Sequence, residues 1–167
     1  AGLDHPNATL QLEERGFPSS LSADEITRRV QSITVPCQLV CAWYDEFLVE
    51  NLLNYERQAQ GGGDVRLLIG PWHHNLEDQT EPVLGKVAVP EPPVNRYYAE
   101  MERFFGHYLK NGFTTPLDAP GRVLLYVLGS NQWRYEQDWP LKRAVFTPLY
   151  LSSGGHANSD QGDGALH

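Results

Sequence analysis

Two short stretches of this sequence carry residues suited to proton transfer. "WYDEF", residues 43–47, places Asp45 just after an apolar run, and "IGPWHH", residues 69–74, places His73 and His74 just after another. A carboxylate that accepts from the Nδ1–H of a histidine fixes the imidazole tautomer and stabilises the imidazolium formed when Nε2 takes a proton from a nucleophile. The pair therefore suits general acid–base work in acyl transfer. It needs a hydroxyl or thiol about 3 Å from Nε2. No G-x-S-x-G turn occurs in the 167 residues, Ser130, Ser152 and Ser153 fall in a β-rich region, and Cys37 and Cys41 lie inside a strand-like run.

Metal chemistry was the other use to weigh for "WHH". Neighbouring histidines on an extended segment point to opposite faces and make poor co-ligands. No H-x-x-x-H accompanies them, so neither a metal nor another cofactor is expected. A lone Asp at a helix start is more simply an N-cap. Its pairing with a histidine is what favours catalysis.

The elements that must position these residues follow from hydrophobic period. Residues 37–43 are apolar without a polar face, as in a strand buried on both sides. Residues 47–60 turn helical, with Leu48, Val49, Leu52, Leu53 and Tyr55 on a broad face, and Gly61–Gly63 end them. "VRLLIG", 65–70, is a second apolar strand that Gly70-Pro71 is expected to close. Strand, helix and strand in this order form a βαβ unit with a parallel sheet. Functional groups gather at the carboxyl ends of such strands, where Asp45 and "WHH" fall.

Ser22 with Glu25 reads as a capping box opening a helix through Val30. Residues 76–94, rich in Pro and acid, read as a surface loop. Tyr97, Met101, Phe104 and Tyr108 mark a helix stripe, widened by Phe105 and Leu109, with Lys110 and Gly112 at its end. Beyond residues 113–120 the β-branched and aromatic segments between Gly, Pro, Asn and Asp turns predict an antiparallel β region. Its three or four strands are too few to cover their own apolar face, so that domain reads as truncated.

Composition is that of a globular chain: 41% hydrophobic, 20% charged, 11% aromatic. A net charge of −8 with no basic patch excludes nucleic acid as a partner, and no apolar run is long enough to span a bilayer. Cys37 and Cys41 on one strand face would lie about 13 Å apart at about 3.3 Å per residue, too far for a disulfide. Two free thiols favour a reducing, cytoplasmic setting.

Taken together, these motifs resemble the cocaine-esterase and X-Pro dipeptidyl-peptidase group of serine hydrolases. "ITVPCQLVCAWYDEF" is similar to the strand and turn that carry that family's triad aspartate, which implies Asp45. "VRLLIGPWHH" is similar to the segment supplying its histidine two residues after Gly-Pro-Trp, which implies His74. "YYAEMERFFGHYLKNG" resembles the last helix of the hydrolase domain, and "RVLLYVLGSNQWRYEQDWP" with "PLYLSSGGHANSDQGDGAL" the opening strands of a jelly-roll.

The resemblance implies an α/β fold: the C-terminal part of an α/β-hydrolase followed by the start of a jelly-roll. Residues 1–30 would be a remnant of a helical cap, 31–115 hydrolase, and 116–167 jelly-roll. Phe47 would line the acyl pocket. The parent would cleave ester, amide or dipeptidyl substrates with a serine on an upstream segment, leaving this chain inactive alone. Ala42 replaces the family's glycine before Trp43, and Glu46 adds a charge beside the triad acid. The competing expectation is a non-catalytic ligand- or carbohydrate-binding module that stacks on Trp133, Trp139, Tyr126 and Tyr150.

Overall fold

In the computed structural model, residues 22–75, 83–84, 87–88, 93–110, 121–160 and 162–167 are described. The chain forms α1 (Ala23–Gln31), β1 (Cys37–Tyr44), α2 (Leu48–Gln60), β2 (Val65–His73), β3 (Val83–Leu84), β4 (Val87–Ala88), α3 (Pro93–Leu109), β5 (Val123–Val127), β6 (Gln132–Glu136), β7 (Leu151–Ser152) and β8 (Ala165–Leu166). The main sheet has the order β1-β2-β5-β6. β1 and β5 pair with β2 in parallel, and β6 pairs with β5 antiparallel.

A strand with neighbours on both sides and helices over both faces is buried and largely apolar. Accordingly, every residue from Val65 to Trp72 in β2 is buried. The period of two assigns its side chains to layers. Val65, Leu67 and Ile69 join Cys41, Val123 and Leu125 under Tyr55, Leu48, Leu52 and Ala59 of α2. Leu68 and Trp72 join Ala42 and Leu124 on the opposite face, with Tyr97 of α3 against them. Each fully buried aliphatic side chain contributes about 1.5–3 kcal/mol. Together they hold the three layers, helix, sheet and helix, in register.

The helix ends follow local chemistry. Ser22 Oγ accepts from the Glu25 N–H at 3.2 Å, the cap half of the expected box. After α2 the chain turns through Gly62 at φ 79°, a left-handed conformation that glycine adopts without steric cost. α3 begins at Pro93, two residues before the expected start. Proline suits a first helical position, where its missing N–H would have no intrahelical partner. Phe104 is buried in its stripe, but Phe105 and Leu109 are 53% and 75% exposed and do not widen the buried face.

Three expectations are corrected. Gly70-Pro71 does not close β2, which runs on to His73. The ladder with β1 shifts register between Ala42 and Tyr44, and Pro71, which has no N–H to donate, sits at that irregularity. Within 76–94, Val83–Leu84 and Val87–Ala88 pair as two short antiparallel strands. Finally, β5 and β6 are not a sheet apart from the α/β core. Leu67, Leu68 and Ile69 pair in parallel with Val123, Leu124 and Leu125. The expected boundary near 113–120 therefore does not divide the main sheet. Residues 1–21 and Gly112 lie outside the described residues.

Candidate active site

Asp45 is the first residue after β1 and His74 the first after β2. Because these strands are parallel neighbours, the two side chains emerge side by side at one edge of the sheet. His74 Nδ1 lies 3.3 Å from Asp45 Oδ2 and 3.3 Å from Oδ1. The Asp45 side chain is only 11% exposed, whereas that of His74 is 53% exposed. A shielded acid behind an accessible imidazole is the order that acid–base work requires.

Local structure explains the alignment. The register shift between Ala42 and Tyr44 is a bulge-like irregularity, which re-aims the end of a strand. Trp43 within it is tethered by its indole N–H, which donates to the Tyr126 carbonyl at 2.6 Å. Asp45 then turns the chain into α2. Its Oδ1 accepts from the Phe47 N–H at 2.9 Å, and its carbonyl accepts from the Leu48 N–H. Asp45 is not the N-cap that the sequence suggested: Phe47 holds that position without a side-chain cap bond, and the Asp45 carboxylate stands two residues earlier, where it braces the turn and faces His74.

Behind the histidines, Trp72 is 2% exposed and folds back over Gly70. A Cβ at position 70 would meet the Trp72 ring at 2.1–2.2 Å, so the sequence Gly-Pro-Trp is a packing unit. Trp72 in turn stacks on Trp133, centroids 5.8 Å apart. His73 is half-buried, opposite Tyr44, and makes no contact with the Asp45 carboxylate among the described interactions. Phe47, 48% exposed, holds its ring 5.1 Å from the His74 ring at 60°.

The sequence reading missed how Glu46 stands toward the pair. Asp45, Glu46 and His74 each present a ligand-capable atom within 4.8 Å of the others. The signal in the sequence was the adjacency of two carboxylates, Asp45 and Glu46. Of the four rings considered for ligand stacking, Tyr126 is buried, Trp133 packs against Trp72 and Tyr126 beneath Arg96, and Trp139 packs against the core. Only Tyr150 of the four is exposed. No helix among the described residues is long and apolar enough to cross a membrane.

Comparison with known proteins gives a consistent answer. The sequence is 33% identical to the cocaine esterase of Rhodococcus sp. (strain MB1 Bresler) over 139 residues, 83% of this chain and 24% of that protein. A solved α-amino acid ester hydrolase matches 93% of this chain and 27% of its own, with a TM-score of 0.64 at 20% identity. An aminopeptidase from the marine sediment archaeon Thaumarchaeota archaeon matches 91% of this chain and 25% of its own, with a TM-score of 0.60 at 20% identity. The last two are likenesses of fold. No family model matches the chain. The chain spans about a quarter of the length of these relatives.

Proposed function

The chain belongs to the cocaine-esterase family of hydrolases, and on that premise we propose that it supplies the acid and base of a Ser-His-Asp triad. The observation that carries this reading is the position of His74 Nδ1, 3.3 Å from the Asp45 carboxylate at the carboxyl edge of paired parallel strands. Asp45 holds the proton on Nδ1 and leaves Nε2 as the general base. A serine on a polypeptide segment outside these 167 residues attacks the ester or amide carbonyl, and His74 takes its proton. His74 then returns that proton to the leaving group, and water repeats the cycle on the acyl-enzyme.

The ring of Phe47 beside His74 supports a role for it in bounding the acyl side of the site. No cofactor enters this reaction. The α1 region is read as a remnant of the cap, and the exposed β7–β8 ribbon as part of a jelly-roll. With three of its four stacking rings packed inside, the ligand-binding alternative has little surface to work with.

The test is made on the source protein, captured by an antibody to this chain and treated with a serine-reactive fluorophosphonate. The expected result is one probe adduct on a species heavier than the 18.8 kDa chain, with labelling lost on His74→Ala. An unlabelled species of 18.8 kDa would overturn the reading.

A further inference from the structure

We propose that Asp45, Glu46 and His74 form a binding site for a zinc-type divalent cation that competes with catalysis for one nitrogen atom. The three donors come from the ends of two parallel strands and lie within 4.8 Å of one another. They combine an imidazole with two carboxylates, the mixed nitrogen–oxygen set that zinc accepts, with water completing the tetrahedron. Two carboxylates also neutralise a divalent charge, leaving a site of no net charge.

The separation of His74 from Asp45 fits a metal as well as it fits a hydrogen bond. His74 Nδ1 is equally far, 3.3 Å, from both Asp45 oxygens. A charge-assisted N–H···O bond is commonly about 2.7–2.9 Å. Ligands bonded to zinc at about 2.0–2.1 Å stand about 3.3–3.4 Å from each other. Glu46 is exposed, so its carboxylate closes onto the ion without breaking packing.

The consequence follows from proton placement. Catalysis needs the imidazole proton on Nδ1, facing Asp45. A metal needs the Nδ1 lone pair, so on binding the neutral ring carries its single proton on Nε2. The ring can then no longer act as a base toward a nucleophile. The inhibitory consequence rests on the hydrolase reading above; the binding itself does not.

The test is calorimetric titration of zinc chloride into the 167-residue chain, repeated for Glu46→Gln and His74→Ala, with the visible spectrum of added cobalt(II) reporting coordination. Both altered side chains are exposed, so the fold is retained. The expected result is one equivalent bound, weakened at least tenfold in Glu46→Gln and lost in His74→Ala. Absence of binding overturns the proposal. So does an affinity changed less than tenfold by Glu46→Gln, or one retained in His74→Ala, either of which assigns the ion to other side chains. In the serine-bearing protein, inhibition by zinc is expected to be relieved by Glu46→Gln. Zinc binding by that longer protein without any hydrolase activity would sustain this site while refuting the hydrolase reading.

Discussion

Cys41 sits four residues before Asp45 in the sequence and 1% exposed in the core, and its titration reports that burial. Burial, with a smaller contribution from the Asp45 charge, pushes its thiol up from 9.0 to about 12. The thiolate is the reactive form, so burial keeps this cysteine unreactive. In the folded chain at pH 8, iodoacetamide should leave Cys41 unmodified, and urea should expose it; peptide mass analysis reads both. The sign of the linked stability follows. An unfolded chain releases this proton near 9.0 and the folded chain only near 12, so the stability held below pH 9 declines as pH rises between those values. At this scale Asp45 and His74 were legible, because a carboxylate and an imidazole after two apolar runs have few places to go. Glu46 as a third member was not, since adjacency in sequence does not say which way a side chain on a turn points.

At the scale of elements, β2 shows how packing overrides punctuation. Gly70 and Pro71 read as a stop, yet the glycine is there because the Trp72 ring lies over it. Gly70→Ala places a methyl group inside that ring and should cost about 1–3 kcal/mol, by the measure of other overpacked cores. Chemical denaturation checks this, and a midpoint equal to that of the unaltered chain would mean that Trp72 is free to move. The strands of the main sheet, the three helices of the described residues and the Ser22 cap were legible to within a few residues, because each rests on local period or local hydrogen bonding, whereas β3 and β4 were not. The partner of β5 was not. "RVLLYVLG" declares a strand and its turn to β6, but pairing with Leu67–Ile69 is set by what lies nearby in three dimensions, more than fifty residues away in sequence.

For the whole molecule, the distribution of apolar surface separates a packed part from an unpacked one. β2 is buried along nearly its whole length, whereas Val145, Phe146 and Leu151 are each more than 80% exposed. Function divides in the same way. Asp45 and His74, the proposed acid and base, are positioned by the packed sheet, but the sequence holds no G-x-S-x-G turn to carry the serine that they would serve. The purified 167-residue chain should therefore show no saturable turnover of a nitrophenyl ester, followed spectrophotometrically. Turnover abolished by His74→Ala would show that a nucleophile had been overlooked. The family was legible because several motifs occur in order; its substrate was not, since Phe47 was the one candidate that the sequence offered for the acyl side of the site.

The parallel pairing of β5 with β2 has a consequence for how such chains are inherited. A segment that folds by itself can be exchanged between genes as a module, and a change of composition is the usual place to look for the join. Here the strand just past that change is bonded into the same sheet that aims His74. A crossover at 113–120 would hand one parent's β5 to the other parent's β2, and offspring would survive only where those two strands had evolved as a matched pair. Recombination should spare that join, and the sheet should pass from ancestor to descendant undivided.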